Sequence, residues 1–231
     1  MKKLKWGIIG TGSIAEAFAD GLKQTDYGTA LAAASRTARK AADFAKAHGI
    51  ERHFAGYDTL LADPDVEAVY ISTPHPLHAE WAIKAARAGK HVLCEKPAAL
   101  NRAEAEAMIA AARENGVFFM EAFMYRCHPQ TAELLRLIRG GAVGEVRMIR
   151  ASFGFGGGSR IDPQSRIFDP ALGGGAILDI GCYPVSMSRL IAGAAEGRSF
   201  SEPLKVKAAG KIGSTGVDEW TAAVLEFPGG I

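Results

Sequence analysis

LKWGIIGTGSIA, residues 4–15, is an apolar run that breaks on Gly-Thr-Gly and reopens as an amphipathic segment, SIAEAFADGLKQ. The pattern G-x-G-x-x-A falls on Gly10, Gly12 and Ala15. A glycine after a strand permits a tight turn, and a second lets the backbone approach a pyrophosphate. A small residue one turn later lets the helix pack closely on its sheet. The helix N-terminus carries partial positive charge, so Gly10, Thr11, Gly12, Ser13 and Ile14 are the expected phosphate-binding segment. The same spacing before an arbitrary helix would mean little; here it sits on the first strand of a repeating pattern.

That pattern continues with TALAAAS, ARKAADFAKAHG, VEAVYIS, LHAEWAIKAARAG, HVLCE, EAEAMIAAARENG and VFFMEAF. Short apolar runs alternating with amphipathic helices predict parallel strands in a doubly wound α/β sheet, with VEAVYIS as its fourth strand and HVLCE as its fifth. Gly49, Gly89 and Gly116 stand where helix C-terminal caps are expected. After Phe123 the rhythm changes to a helix (TAELLRLIRGG), an alternating segment read as a long strand (GEVRMIRASFGF, 144–155) and a loop rich in Gly, Ser and Arg over 154–170. A second helix (AILDIGCYPVSMSRLIAG) and two strand-like segments near 204–213 and 217–227 follow. Two domains are expected: 1–122, a nucleotide-binding Rossmann domain, and 123–231, an α+β domain on a mainly antiparallel sheet. The closing LEFPGGI reads as a strand entering a hairpin turn, so the second sheet is expected to be incomplete and the chain short at its C-terminus.

Composition narrows the class. The 231 residues are 48% apolar, enough for a packed core, and 27 Lys plus Arg against 25 Asp plus Glu leave a net charge of +2 without a cationic run. A nucleic-acid partner is not expected. The apolar lead stops at Gly10, too early for an export signal, and nothing is long enough to span a bilayer. Cys94, Cys127 and Cys182 are too few and too scattered for a disulfide framework or a zinc cluster. Cytoplasmic location and no metal are the corresponding expectations.

The second strand discriminates between dinucleotides. Enzymes using NAD usually end it with an acid that binds the ribose hydroxyls, roughly 20 residues past the glycines. Here it ends Ala34-Ser35-Arg36-Thr37, with Arg39 and Lys40 following. A guanidinium flanked by hydroxyls suits a 2′-phosphate, so NADP is favoured over NAD and Ser35, Arg36, Thr37 and Lys40 are candidate cofactor residues. The alternative for these cations is the solvated start of a helix. After the fourth strand, Ser72-Thr73-Pro74-His75-Pro76-Leu77-His78 lies at the carboxyl edge where ligands of such sheets bind. Ser72, Thr73, His75 and His78 are further cofactor candidates, although Thr73 and His78 would equally serve as caps of the next helix.

Glu95-Lys96-Pro97 ends the fifth strand, and adjacent strand residues face opposite sides, so the two charges cannot be explained as one exposed pair. With GIIGTGSIA, ISTPHPLHAEWAIKAARAGKHVLCEKP, FMEAFMYRCHP and GGGAILDIGCYPV in this order, the chain resembles the Gfo/Idh/MocA oxidoreductase family over residues 4–231. ASRT, LCEKP and MEAFMYR are most similar to its branch of dimeric dihydrodiol dehydrogenases and NADP-dependent D-xylose dehydrogenases. The resemblance implies that Lys96 approaches substrate and nicotinamide, that Glu95 holds the nicotinamide ribose and that Pro97 fixes the turn. It also implies a substrate-facing helix carrying Asp179 and Tyr183, which at a spacing of four share a helical face. Some members carry histidine where Tyr183 stands. Relatives continue past a point like Ile231 with strands whose open sheet face makes a dimer, so homo-oligomerisation through the second sheet is the implied partner interaction.

The implied activity is hydride transfer between NADP(H) and the carbinol or carbonyl carbon of a small sugar, polyol or cyclic diol. Hydride leaves a carbinol carbon only as its hydroxyl proton is taken. A phenol titrates near about 10 in water, and a nearby cation such as Lys96 favours phenolate, so Tyr183 is the expected general acid/base and Lys96 its electrostatic partner. Asp179 would orient a substrate hydroxyl. Glu121, Arg126 and His128 stand at the crossing between domains, where Arg126 either lines the substrate site or pairs with Glu121. Arg160 and Arg166 lie in the glycine-rich loop, from which they could reach a polar ligand, although a solvated mobile loop is the favoured reading. Because fold does not fix activity, a non-catalytic NADP-binding regulator or scaffold is the alternative.

Overall fold

The computed structural model describes residues 2–156, 162 and 164–231, and the chain divides into two compact units, Met1–Ala122 and Phe123–Ile231. In the first, six strands pair in parallel: β1 (Leu4–Ile9), β2 (Gly28–Ser35), β3 (Arg52–Ala55), β4 (Ala68–Ile71), β5 (His91–Cys94) and β6 (Phe119–Glu121). Their order is β3-β2-β1-β4-β5-β6. The direction of winding reverses between β1 and β4, and this reversal opens a crevice above their carboxyl ends.

Helices cover both faces, as buried parallel strands require. On one, α1 (Ser13–Lys23) and α2 (Ala38–His48) bring Ala15, Ala19, Phe44 and Ala45 onto Ile8, Ala33 and Tyr70. On the other, α3 (Tyr57–Leu61), α4 (His78–Arg87) and α5 (Arg102–Glu114) bring Leu60, Trp81, Ala85 and Met108 onto Ile9, Val69, Ile71 and Val92. Ala32, Ala33 and Ala34 are wholly buried in the middle of β2, where small side chains let helix and sheet approach. Gly49, Gly89 and Gly116 all follow helices at positive φ. The sequence reading leaves residues 50–63 unassigned. That stretch holds β3 and α3, and β3 is an edge strand of four residues with every second side chain exposed.

In the second unit α6 (Pro129–Arg139) packs against α7 (Cys182–Ala195), and β7 (Lys205–Ile212) pairs antiparallel with β8 (Asp218–Glu226). Two expectations change. The alternating stretch 144–155 forms no strand; Met148, Phe153 and Phe155 are exposed in it. Alternation specifies an extended chain with two unlike faces, but a strand exists only where another edge accepts its hydrogen bonds. The second helix begins as a π-helical turn, Ile177–Gly181. Pro184 accounts for it: proline offers no N–H to the carbonyl of Ile180, and its ring collides with a carbonyl held at α-helical spacing, so the preceding turn widens. Among the described residues no helix is long and apolar enough to cross a membrane, and no group of three or more His, Cys, Asp or Glu is arranged to hold a metal ion.

Candidate active site

The carboxyl ends of β1, β4 and β5 and the start of α1 gather most of the candidate residues of the first unit. Gly10 has φ 99°, and a Cβ there would lie 2.9 Å from both the carbonyl oxygen and the Oγ of Ser72. Only glycine fits. Gly12, the N-cap of α1, has ordinary extended angles (φ −89°, ψ 177°), and a Cβ there would meet nothing within 4 Å. Its backbone therefore faces open space at an N-terminus whose N-cap makes no side-chain hydrogen bond among the described residues. Ser13 and Ile14 are exposed in the first turn.

Thr11 Oγ1 donates to the buried Ser35 Oγ at 3.3 Å, tying the glycine turn to the end of β2. Beyond it Arg36 and Lys40 are exposed, and Arg39 pairs with Asp43 at 3.7 Å. Thr37 caps α2, its hydroxyl accepting from the Lys40 N–H at 3.4 Å, so it is also a structural residue. The residues present fit a nucleotide bearing a 2′-phosphate: an open phosphate approach at Gly12, hydroxyls and a guanidinium at the end of β2, and no carboxylate in Ser35-Arg36-Thr37.

At β4, Ser72 donates through Oγ to the Ile9 carbonyl at 3.2 Å. Thr73 is 7% exposed, and its Oγ1 finds no partner among the described residues. A buried hydroxyl without a partner costs about 1–3 kcal/mol. His75 is buried and packs at 5.6 Å from the ring of His78. His78 departs from expectation. It is 0% exposed, with Nδ1 2.8 Å from the Pro97 carbonyl and Nε2 2.8 Å from the Thr73 carbonyl. Its ring is buried between two backbone carbonyls.

Glu95 follows β5 and is held by a residue the sequence reading did not single out. Tyr70 Oη donates to Glu95 Oε1 at 2.5 Å, and the Lys96 N–H donates to Oε2 at 3.2 Å. Tyr70 is 2% exposed and stacks on Phe18 at 4.0 Å. Burial, then the bond to Glu95, pushes its hydroxyl far above the usual phenol range, so it stays a donor. A tyrosine inside an apolar strand gave no sign of this: only the pairing of Tyr70 with Leu93 places it beside residue 95. Lys96 is half-buried at the turn into Pro97, and Glu121 Oε1 accepts the Ala98 N–H at 2.9 Å on the far side of the same turn. Burial and the adjacent carboxylates push the Cys94 thiol upward, which makes it an inert core residue.

In the second unit, Asp179 lies in the π-helical turn, nearly buried, and accepts from Arg166 Nη2 at 3.0 Å. Arg166, expected as a solvated loop residue, is thus tied to the π-helical turn that leads into α7. Arg160 lies outside the described residues. Tyr183 sits edge-on among Phe123 (5.3 Å) and Phe153 (5.4 Å), with Tyr125 at 6.2 Å. Tyr125 and Ser186 share a hydrogen bond at 2.8 Å, which fixes that aromatic cluster to α7. Arg126 is exposed, with its guanidinium 4.3 Å from the Phe200 ring. His128 caps α6 through Nδ1, accepting the Gln130 N–H at 3.1 Å. A concavity of about 550 Å³ opens beside Asp179, lined by Phe153, Phe155, Ile177 and Trp220 among others. Asp218 anchors its floor, accepting from the Ile177 N–H at 2.9 Å and from the Thr221 hydroxyl at 2.8 Å.

Residues 4–123 match the oxidoreductase family model described as an NAD-binding Rossmann fold, and residues 131–231 match the GFO/IDH/MocA C-terminal domain. An uncharacterized oxidoreductase of Rhizobium meliloti is 41% identical over 232 residues, covering 100% of this chain. The trans-1,2-dihydrobenzene-1,2-diol dehydrogenase of Xenopus laevis is 39% identical over 228 residues, covering 97%. In both cases the chain spans 66% of the relative's length. Among solved structures, a 3-ketoreductase from Actinomadura kijaniata, in complex with NADP and TDP-benzene, superposes with a TM-score of 0.84 at 35% identity, covering 100% of this chain and 68% of that one.

Proposed function

The chain belongs to the Gfo/Idh/MocA oxidoreductase family, with an NAD-binding Rossmann domain in its first unit, and we propose that it transfers hydride between NADP(H) and the carbinol or carbonyl carbon of a small sugar, polyol or cyclic diol. One observation carries the reading: the open Gly12 turn, the Ser35-Arg36-Thr37 end of β2 and the Lys96 turn all stand on the carboxyl edge of a single parallel sheet. The NADP in the solved 3-ketoreductase and the diol in the dehydrogenases' name support cofactor and substrate class.

When bound, the nicotinamide supplies or accepts the hydride. Thr11, Gly12, Ser13 and Ile14 would receive the pyrophosphate through backbone N–H groups, Gly10, whose N–H donates to the Ala34 carbonyl at 3.1 Å, shapes the turn, and Arg36, helped by Ser35 and Lys40, would receive the 2′-phosphate. Glu95, fixed by Tyr70, holds the ribose. Tyr183 takes the substrate hydroxyl proton in oxidation and returns it in reduction. Lys96 supplies the positive charge that proton transfer from a neutral alcohol requires. Asp179, oriented by Arg166, accepts a hydrogen bond from a neighbouring substrate hydroxyl.

The test follows nicotinamide absorbance with NADP(H) and a panel of aldoses, polyols and dihydrodiols. Tyr183→Phe and Lys96→Ala are expected to lose turnover by roughly 10²- to 10⁴-fold while retaining NADPH binding. Full activity in Tyr183→Phe refutes the acid/base assignment. Tight NADPH binding without turnover on any substrate identifies a cofactor-binding regulator instead. Tighter binding of NADH than NADPH overturns the role of Arg36.

A further inference from the structure

His78 carries an inference that the cofactor reading of it would have hidden. A neutral imidazole has one N–H and one lone pair, whereas a backbone carbonyl oxygen can only accept. Yet both ring nitrogens of His78 lie 2.8 Å from carbonyl oxygens, Nδ1 at Pro97 and Nε2 at Thr73. In the neutral ring one of these contacts would set lone pair against lone pair. At 0% exposure bulk solvent does not reach the ring. Turning the ring over does not help, because both nitrogens are already the near atoms. Only the imidazolium, with two N–H groups, satisfies both carbonyls.

The two carbonyls belong to different walls of the crevice. Thr73 ends the loop after β4 and carries the buried hydroxyl without a partner. Pro97 follows Lys96 directly, and the next amide, Ala98, is held by Glu121. Ionisable neighbours of the clamp include His75, whose ring is 5.6 Å away, Lys96, Glu95, which takes the Lys96 N–H, and Glu121. We propose that His78 is a doubly donating imidazolium that clamps the Thr73 loop to the Lys96-Pro97 turn, and that it is a positioning residue for Lys96. This rests on the reading of Lys96 as the residue beside the reacting carbon. The imidazole touches neither substrate nor cofactor; it fixes the backbone from which Lys96 reaches.

Two measurements on the full chain test this. In nitrogen-15 spectra of histidine-labelled protein at neutral pH, both His78 ring nitrogens are expected to show the shift and attached proton of a protonated ring. A single lone-pair nitrogen overturns the clamp, and this readout needs neither a variant nor turnover. Second, His78→Gln offers one amide in place of two opposed N–H groups. Its kcat is expected to fall roughly 10- to 100-fold, the scale of a misplaced catalytic group, while NADPH affinity and KM stay within about threefold. An unchanged kcat, or a fall in kcat matched by an equal loss of NADPH affinity, overturns the positioning role. If His78→Gln does not fold, the spectrum of the unmodified protein still decides. Lys96→Ala run in parallel separates the two claims: retained turnover there defeats the role of Lys96, while the nitrogen-15 result for His78 holds on its own.

Discussion

Alanine at Gly10 and alanine at Gly12 should fail in opposite ways. At Gly10 the backbone has φ 99°, which costs an L residue about 1–2 kcal/mol, and the new methyl would lie 2.9 Å from Ser72 backbone and side chain, adding about 1–3 kcal/mol of overpacking. Gly10→Ala is therefore expected to lose about 2–5 kcal/mol of stability, read as a lower urea midpoint. Gly12 has angles that alanine adopts freely, and its methyl would meet no protein atom within 4 Å. A poorer N-cap and a stiffer unfolded chain oppose one another at about 1 kcal/mol or less each, so Gly12→Ala should unfold close to wild type. Its methyl, however, stands between the backbone and an approaching pyrophosphate. Losing one charge-assisted hydrogen bond, about 1.5–3 kcal/mol, corresponds to roughly a 10- to 150-fold rise in the NADPH dissociation constant. Denaturation and fluorescence titration of the two variants side by side give the answer. A Gly12→Ala protein that is stable and binds NADPH like wild type refutes the placement of the phosphates.

Two further outcomes follow from the hydrogen bonds of the first unit. Tyr70→Phe keeps the stacking on Phe18 but strips Glu95 of its 2.5 Å donor; a loss of about 1.5–3 kcal/mol in urea, with weaker NADPH binding, is expected, and unchanged affinity would detach Glu95 from the cofactor. Burial pushes the Asp63 carboxyl up, but two Arg52 hydrogen bonds at 2.8 and 2.9 Å and the Asp65 N–H hold it below its ordinary 3.8. Because the folded value is depressed, its stabilisation is fully present above the unfolded value and disappears as pH falls through the folded one. Acid titration of unfolding should show that loss below about pH 4 in wild type and not in Asp63→Asn; identical curves would dismiss the pair as a source of acid sensitivity.

The doubly wound sheet was legible because its signals are local and repeated: apolar runs such as VEAVYIS, amphipathic helices, and Gly10 at the first turn. The candidate site could be proposed only where chemistry coincides with a motif, as at Lys96 and in the missing acid after β2. What escaped depends on contacts distant in sequence. Tyr70 reaches Glu95 across a strand pairing, and Arg166 reaches Asp179 across a loop. For His78 the sequence leaves cofactor and structural roles open for a related reason: position at the carboxyl edge says nothing about which way a ring turns, and its ring nitrogens face two carbonyls five and nineteen residues away. The π-helical turn was available in principle, since Pro184 is visible, but helical periodicity alone does not register a missing N–H. Residues 144–155 show the converse error, a period of two without a partner strand.

Among the described residues both apolar clusters belong to the first unit, while the buried hydrophobic residues of the second are Phe123, Ile138, Leu190, Ala192, Ala194, Val217 and Phe227. Its hairpin, β7 and β8, is solvated on both faces. Amide protons should therefore exchange on two separate clocks, slow through β1, β2 and β4 and fast through β7 and β8, because opening free energy tracks buried apolar contact. The nucleotide half would thus keep its shape through excursions that melt the hairpin. Melting of the hairpin and loss of the Rossmann sheet would then be separate events in the life of one chain.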